Sequence, residues 1–276
     1  MKFDDLDEKM RIFETAHDVC VLPGIHMVAR IDGRSFSRLT KEICKFRAPF
    51  DERFRDCMAE TVRHLMSCGF TVMYGYTESD EISLLFDPEE QAFGRKHRKY
   101  NSILASEAAA KFTSLLGVHA AFDCRICELP TRRQVLDYFR WRAADALRNA
   151  LNAHCYWKLR ENGVSPRSAA DQLARMNTAD KNELLFRYGV NFNDLPAWQK
   201  RGVGFYRVKE EKEGFNPLTG KRTVTLRSRI HMDRELPVNE AYEDLLIRLL
   251  NGEDPEKRCV AQFDGPDSGR RNSPIM

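Results

Sequence analysis

The sequence predicts an α+β fold whose first half runs β-α-β-β-α-β, the order of a ferredoxin-like domain. Two observations support this prediction. Short apolar runs alternate with longer segments whose apolar residues recur at helical spacing. Two of the short runs are joined by a tight acidic turn, as in a hairpin, in the stretch YGYTESDEISLLF. A helical and β-hairpin extension is predicted to follow.

The elements of the first half are predicted from apolar spacing and from the residues that end each run. The predicted helices are 5–19, one that begins at the cap residue Asp51 and ends at Gly69, and 99–116, which stops at Gly117. The predicted strands are 26–31, 70–76, 82–86 and Phe122–Leu129. In a sheet of this kind the first strand pairs antiparallel with the third.

After Pro130 the predicted elements form an extension of helices and one β-hairpin. They are one helix or two abutting helices at 134–161, short helices at 168–173 and 180–186, a loop at 191–195, strands at 202–209 and 222–232, and a helix at 240–250. Gly, Pro, Asp, Ser and Arg dominate after that, so a disordered tail is predicted at 251–276. The predicted regions are 1–135 and, packed on it or continuous with it, 136–250.

Length and composition indicate an ordinary globular protein of one large domain or two modest ones. The chain has 276 residues, 42% of them hydrophobic and 31% charged. No apolar run approaches the roughly 18 residues of a membrane-spanning helix. The acidic N-terminal stretch MKFDDLDEKMRIFE is unlike a signal peptide. We therefore expect a cytoplasmic protein without a membrane partner.

Charge and cysteine content say less about function. The net charge of +3 arises from 44 basic and 41 acidic residues, so it indicates no particular partner. Local basic clusters fit either a solvated surface or phosphate binding. The eight cysteines are predicted to be free thiols. Cys124 and Cys127 form a single C-x-x-C within a predicted strand, where their side chains point to opposite faces, so we predict neither a zinc site nor a redox pair.

Two acidic residues become neighbours under the predicted topology. Asp32 ends the first strand in VARIDGRSFS, and Asp80 begins the third. Carboxylates placed together in this way, with the Gly33 carbonyl, can hold divalent cations that bind triphosphates and lower the pKa of an attacking hydroxyl. The amides of 34–37 would cradle the phosphates. Without the topology, Asp32-Gly33 would be read only as a turn.

Several separate stretches resemble the tRNA-His guanylyltransferase family, which contains the 3′-to-5′ nucleotide-adding polymerases, including the Thg1-like proteins. They are VARIDGRSFSRLT, YGYTESDEISLLF, FDCRICELP followed by DYFRWRAAD, TADKNELLF, and NFNDLPAWQKRG. The resemblance spans roughly residues 1 to 235, in order and without large gaps. It implies that 1–135 is a catalytic region similar to the palm of ordinary polymerases, with two Mg²⁺ ions.

The resemblance also implies a set of site residues. Asp32 and Asp80 match the catalytic pair, and together with the Gly33 carbonyl they match the metal ligands. Positions that contact the nucleotide are matched by Asp32, Gly33, Arg34, Ser35, Phe36, Ser37, Asp51, Ser79, Asp80 and Lys99. Positions near the triphosphate or the tRNA, for which a solvated surface is the alternative, are matched by Lys45, Arg47, Arg95, Lys96, Asn149, Asn152, Lys181 and Asn182.

The implied reaction begins with adenylylation of a tRNA 5′-monophosphate by ATP. The 3′-hydroxyl of GTP or another nucleoside triphosphate then attacks the activated phosphate, and a 5′-triphosphate end needs no activation. Catalysis would consist of positioning and charge stabilisation, without a protein nucleophile. Relatives assemble as tetramers, so a homo-oligomer is expected.

One segment departs from the members that add the extra guanosine of tRNA-His. Those members carry HINNLYNT after the WR-x-x-D segment, and this chain reads ALRNALNA. Asn149 and Asn152 are retained, whereas Ala146 replaces the leading His and Arg148 replaces an Asn. The departure favours the Thg1-like branch, which repairs truncated tRNA 5′ ends with the opposite strand as template. Addition specific to tRNA-His is the alternative.

Two further classes of protein share the predicted scaffold. A nucleotide cyclase uses a similar palm with two aspartates, but it needs no long basic C-terminal region. A non-catalytic RNA-binding module of this shape places aromatic residues on its central strands. Here the first strand ends in Asp32-Gly33 and the third opens with Asp80-Glu81, which suit metal ions better than bases.

Overall fold

One antiparallel sheet organises the protein. The computed structural model describes residues 2–216 and 221–255. The strands are β1 His26–Gly33, β2 Val72–Glu78, β3 Glu81–Phe86, β4 Phe122–Leu129, β5 Val203–Asn216 and β6 Lys221–Asp233. They pair in the order β4-β1-β3-β2-β5-β6, and all neighbours are antiparallel. Because β5 pairs with β2, the two predicted regions share one sheet.

Helices cover both faces of this sheet. They are α1 Phe3–Thr15, α2 Phe36–Arg38, α3 Glu52–Leu65, α4 His97–Leu116, α5 Arg132–Glu161, α6 Pro166–Ala174, α7 Thr178–Arg187, α8 Ala197–Arg201 and α9 Asn239–Leu250. A π-helical turn, Leu39–Ile43, continues α2, and 3₁₀ turns occur at Ala92–Arg95 and Phe192–Asp194. None of the helices in 2–216 and 221–255 has the length and apolarity needed to cross a bilayer.

The long elements predicted from the sequence are present, with ends that differ by a few residues, except that β5 continues to Asn216, well past its predicted end at residue 209. The region predicted as one or two helices is the single helix α5. The sequence missed α2, its π-helical continuation, α8 and the 3₁₀ turns, because a segment of about one turn shows no helical periodicity. The predicted loop at 191–195 contains one of these turns. Of the predicted tail, 251–255 has no helix or strand, and 256–276 lies outside the described residues.

Alternation along the strands divides the core into two layers. Ala29 and Ile31 of β1 pack on the face covered by α3 and α4. Val28 packs on the opposite face, against α5 and α9. Cys124 and Cys127 of β4 fall in different layers, as expected for a spacing of three within a strand.

The long helix α5 connects the sheet to the C-terminal helices. It begins at a capping box, in which the Thr131 hydroxyl accepts from the Gln134 amide and the Gln134 side chain accepts from the Thr131 amide. Its 30 residues span about 45 Å. The first half covers the sheet, and the second half packs on α6 and α7 in a third apolar cluster. One side of α5 can therefore form a continuous wall along a pocket.

Candidate active site

The two aspartates predicted from the sequence are neighbours in the fold. Asp32 of β1 lies opposite Glu81 of β3, and the Gly33 amide donates to the Asp80 carbonyl oxygen at 3.0 Å. Asp80 lies in the turn before β3 rather than in the strand itself. Ser79, with φ 48°, reverses the chain there and donates its hydroxyl to Asp80 Oδ1 at 3.0 Å. The antiparallel pairing of β1 with β3 therefore brings Asp32 close to Asp80, as predicted.

Close packing, rather than an unusual backbone angle, explains the glycine at position 33. A Cβ atom on Gly33 would lie 2.5 Å from Cδ2 of Phe36. The Phe36 ring is buried beside Phe112 and Phe122, whose ring centroids lie 5.3 and 4.9 Å away. Since this aromatic cluster leaves the ring little freedom, a side chain at position 33 would disturb the passage from β1 into α2.

We expect Gly33→Ala to lower the free energy of unfolding by about 1–3 kcal/mol, the usual cost of overpacking a core. Urea denaturation of the two proteins measures the difference. In a Phe36→Leu background the same substitution should cost less, because a smaller side chain can yield to the new methyl group. An equal cost in both backgrounds would show that the ring is not the obstacle.

The segment after Gly33 offers fewer amides than the sequence suggested. The Arg34 amide donates to the Ala121 carbonyl oxygen at 2.8 Å, which ties the segment to the start of β4. The prediction that this amide cradles a phosphate is therefore wrong for this conformation. Ser35, with φ 61°, precedes α2, so the N–H groups of 35–37 come before the first helical hydrogen bonds and can face a ligand.

A pocket of about 480 Å³ borders both aspartates. Its lining comes from the end of β1, the turn between β2 and β3, the segment from α2 to α3, one side of α5, and α8 with the residues that follow it. The predicted site residues that line it are Asp32, Phe36, Ser37, Arg47, Asp51, Ser79, Asp80 and Asn149. The fold therefore brings most of the carboxylate and loop residues of the predicted site to one cavity.

A buried ion cluster beside the aspartates was missed by the sequence reasoning. The Arg142 guanidinium of α5, which is 3% exposed, donates to carboxylate oxygens of Glu78 at 3.2 Å, Glu81 at 2.9 Å and Asp145 at 3.1 Å. Arg30 of β1 forms a further ion pair with Glu81. The available signal was the WR-x-x-D segment, whose Arg and Asp, three residues apart, share one face of a helix.

Burial shifts the protonation equilibria of this cluster. Burial and the nearby charge of Glu81 raise the pKa of Glu78 to about 8, against the opposing effect of Arg142. Burial also raises the pKa of Glu81, although Arg142 and Arg30 favour its charged form. Burial lowers the pKa of Arg142, but the attraction of the surrounding carboxylates is the larger effect. The pKa of Arg142 is therefore raised. Arg142 is thus the cation that compensates the carboxylates at this end of the pocket.

The electrostatics of the aspartate pair suit a bound cation. Burial raises the pKa of Asp80, and the negative charge of Asp32 adds to the shift. In the described parts of the chain, no three or more His, Cys, Asp or Glu side chains are grouped to hold a metal ion. Two carboxylates and the Gly33 carbonyl are therefore the available donors. Mg²⁺ accepts such a small set when water and substrate phosphates complete its shell, so these residues fit the implied ion.

The first turn of α4 lies at the opposite end of the sheet from Asp32. His97 Nε2 lies 2.9 Å from Oε1 of Glu128, near the C-terminal end of β4. Asp32, in contrast, pairs with Asp123 near the start of β4. Lys99 follows His97 on α4. Within one chain, Lys99 therefore lies away from the two aspartates. The sequence grouped Lys99 with the aspartates because it does not show in which direction α4 runs across the sheet.

Arg95 and Lys96 have structural partners at that far end. The buried Arg95 guanidinium donates to the backbone oxygens of Pro88 at 3.3 Å and Ile25 at 2.5 Å. The Lys96 ammonium pairs with Asp18 at 2.8 Å. The prediction that Arg95 contacts triphosphate or tRNA is wrong, because its guanidinium is buried against the backbone.

The remaining predicted residues divide between the pocket and its surroundings. Arg47 is exposed and lines the pocket, whereas the neighbouring Lys45 is exposed outside it. The Asp51 carboxylate lines the pocket but also accepts from the amides of Arg47 and Arg53, each at 2.8 Å, as the cap of α3. Its pKa is lowered because these hydrogen bonds outweigh the effect of burial. The Asp51 carboxylate therefore holds the backbone at Arg47 and Arg53 in place beside the pocket.

The polar residues of the C-terminal half lie mostly beyond the pocket. Asn149 lines it, and its Nδ2 donates to Asp145 at 3.3 Å. Asn152 is exposed on α5, and Lys181 and Asn182 lie on α7. The Asn182 side chain donates to the Thr178 carbonyl oxygen at 2.9 Å. These three residues do not line the pocket.

Comparison with known proteins agrees with this fold. A family profile described as tRNAHis guanylyltransferase matches residues 7–130, and a profile for the C-terminal domain of the same family matches residues 133–246. A probable tRNA(His) guanylyltransferase of Drosophila melanogaster is 33% identical over 212 residues, which cover 73% of each chain. The human relative with the same description is 30% identical over 239 residues, covering 80% of this chain and 79% of its own.

Solved structures share the architecture. A bacterial tRNA(His) guanylyltransferase-like protein in complex with GTP matches with a TM-score of 0.70 and 29% identity, covering 90% of this chain and 99% of its own. The tRNA(His) guanylyltransferase of Saccharomyces cerevisiae matches with a TM-score of 0.67 and 26% identity, covering 74% and 92%. The chain is thus a nucleotidyltransferase. It belongs to the tRNA-His guanylyltransferase family.

Proposed function

We propose that this enzyme adds nucleotides to the 5′ end of tRNA in the 3′-to-5′ direction, and that it repairs truncated ends by copying the opposite strand. The observation that carries the proposal is the Asp32 and Asp80 pair in the lining of a pocket of about 480 Å³. Family membership supports tRNA as the acceptor, and the GTP and ATP complexes of bacterial relatives support nucleoside triphosphates as substrates.

The sheet gives this proposal its scaffold. The order β4-β1-β3-β2, with α3 and α4 on one face, supports a ferredoxin-like polymerase palm. In such a palm the reacting groups assemble where β1 and the turn before β3 meet. We assign the catalytic region to 1–135 and treat 136–250 as the region that completes the pocket through α5 and α8.

Asp32, Asp80 and the Gly33 carbonyl would hold Mg²⁺. The ion, when bound, supplies charge for the phosphates and lowers the pKa of a coordinated hydroxyl. The N–H groups of 35–37 orient the triphosphate at the start of α2. The buried Arg142 cluster holds the turn that carries Asp80, because Glu78 and Glu81 flank that residue and are both tied to α5.

The chemistry proceeds in two displacements at phosphorus. A tRNA 5′-phosphate oxygen attacks the α-phosphate of ATP and releases pyrophosphate. The 3′-hydroxyl of the incoming nucleotide then attacks the activated 5′-phosphate, loses its proton and releases AMP. A 5′-triphosphate end enters at the second displacement and releases pyrophosphate. The protein contributes positioning and charge stabilisation in a partly enclosed pocket.

The choice of repair over tRNA-His-specific addition is supported by the pocket wall on α5. Ala146, where tRNA-His-specific members carry His, is 3% exposed and lines the pocket. Arg148 is exposed and pairs with Asp145 at 2.5 Å. At this wall Ala146 therefore replaces the leading His of the HINNLYNT segment, while Asn149 is retained. The alternative, addition of the extra guanosine to tRNA-His, is favoured by the descriptions of the curated relatives.

A substrate comparison tests the choice. The enzyme receives labelled nucleoside triphosphates with intact tRNA-His or with other tRNAs that lack their first nucleotide and carry a 5′-triphosphate. We expect at least roughly tenfold higher kcat/KM on the truncated tRNAs, and incorporation of the base complementary to the opposite strand. Preference for intact tRNA-His would establish the alternative. A cyclic nucleotide formed from ATP or GTP alone would point to a cyclase.

Assembly and location complete the proposal. We propose a homotetramer in the cytoplasm, on the basis of the family resemblance and the composition of the sequence. Light scattering coupled to gel filtration measures the assembly directly, with a mass four times that of the 32.0 kDa chain as the expected result.

A further inference from the structure

The outer end of the pocket carries an aromatic ring and two cations that the reaction described above does not use. Trp157 of α5 and Lys41 of the π-helical turn Leu39–Ile43 both line the pocket, and the Lys41 Nζ lies 5.8 Å from the Trp157 ring centroid. Arg47 lines the same pocket, and the amide of its neighbour Phe46 donates to the carbonyl oxygen of Thr40, the neighbour of Lys41, at 2.9 Å. In 2–216 and 221–255, neither cation forms an ion pair with a carboxylate.

Trp157 lies far along α5 from the aspartates. Arg142, which binds the residues on both sides of Asp80, and Trp157 both face the pocket from the same helix. They are fifteen residues apart, which corresponds to about 22 Å along the helix axis. Stacked nucleotides follow one another at about 3.4 Å. The pocket wall is therefore long enough for several nucleotides, and Trp157 stands at the end away from the reaction.

The exposure of the Trp157 ring distinguishes it from aromatic residues that only pack. Phe139, earlier on the same helix, is fully buried in the core. The Trp157 side chain is only partly buried, and the adjacent Tyr156 ring and the Lys41 ammonium lie beside it. A partly exposed indole beside exposed cations is the combination that binds a nucleic-acid strand, because the ring stacks on a base of any identity and the cations contact phosphates.

We propose that Trp157, Lys41 and Arg47 form a stacking subsite for a nucleotide of the RNA substrate, several positions from the reacting 5′ end. A base occupies the face of Trp157 beside which Lys41 now lies, and Lys41 and Arg47 contact the adjoining phosphates. This inference rests on the proposed function, since it requires RNA as the substrate. It assigns these residues to RNA binding and not to the incoming nucleotide.

Binding and steady-state measurements on two variants test the subsite. Trp157→Ala and Lys41→Met are compared with the wild-type protein, and Phe186→Ala serves as control because Phe186 is exposed on α7 and does not line the pocket. The probe is a fluorescent tRNA transcript without its first nucleotide. We expect Trp157→Ala to raise the Kd for this RNA roughly tenfold or more, with the KM for GTP unchanged within twofold. Lys41→Met should weaken RNA binding less, and the control should match the wild type.

A fluorescence measurement covers the case in which Trp157→Ala does not fold. Trp157→Phe keeps an aromatic ring, and its folding is checked by circular dichroism. RNA should quench the tryptophan emission of the wild-type protein, and the quenching should fall in Trp157→Phe. Undiminished quenching, an unchanged Kd, or an effect confined to the KM for GTP would each overturn the subsite while leaving the proposed function intact. A wild-type protein that binds no tRNA would overturn both.

Discussion

Asp32→Asn and Asp80→Asn are each expected to reduce nucleotide addition by at least about a thousandfold. Either change removes a negative charge from the pair that fits Mg²⁺, and the lost stabilisation is on the order of several kcal/mol, where each ~1.4 kcal/mol is tenfold in rate. Incorporation of labelled GTP into a 5′-triphosphate tRNA measures the effect. Isothermal titration of Mg²⁺ in the presence of GTP should show a parallel loss of metal affinity.

The fold should survive these changes. Asn matches Asp in shape, and because burial raises the pKa of Asp80, removal of its charge should leave the free energy of unfolding unchanged or slightly higher. The control is Asp123→Asn, since Asp123 pairs with Asp32 across β1 and β4 but is exposed and does not line the pocket. The control should retain activity within twofold. Wild-type activity in either pocket variant would refute the assignment of the metal site.

Arg142→Met should cause the largest loss of stability among single substitutions near the site. The variant leaves Glu78, Glu81 and Asp145 without their shared cation, and removal of one partner from a buried ion cluster costs about 3–5 kcal/mol. Urea denaturation at pH 8 measures the loss. Activity should also fall, because the turn that carries Asp80 is no longer tied to α5.

The cost of Arg142→Met should grow as the pH rises from about 7 to about 9, the range around and above the folded-state pKa of Glu78. The folded-state pKa of Glu78 is raised to about 8 even with Arg142 present, and without that cation it moves higher. Below about pH 7 both folded proteins bind this proton, so the contribution of Glu78 to the difference cancels. At higher pH the wild-type protein releases the proton and its stability levels off, whereas the variant keeps losing stability up to its higher folded-state pKa. A cost independent of pH would contradict the ionic explanation.

Arg148→Met is the matched control for this comparison. Arg148 lies on the same helix and pairs with Asp145 at 2.5 Å, but its side chain is 76% exposed. Exposed pairs contribute about 0–1 kcal/mol, so this substitution should change the free energy of unfolding by less than about 1 kcal/mol. The difference between the two substitutions in the free energy of unfolding separates the effect of burial from the effect of removing a positive charge.

The sequence by itself determined the elements that position the aspartates. The β-α-β-β-α-β order, the β1 and β3 pairing and the acidic turn followed from apolar spacing and turn chemistry, which are local properties of the chain. The family resemblance rests on the same stretches and named the residues at their ends. Asp32, Gly33 and Asp80 could therefore be placed together without coordinates.

Only the tertiary structure decided which charges meet. The sequence assigned Lys99 to the nucleotide and Arg95 to the triphosphate or tRNA, yet Arg95 is buried against backbone oxygens and Lys99 lies at the far end of the sheet. The sequence analysis assigned no role to Arg142 of the WR-x-x-D segment, yet it lies at the centre of a buried ion cluster. Burial and partners depend on how elements distant in the chain pack together. Apolar spacing records which face of a helix is buried, but not which carboxylates an arginine on that face will meet.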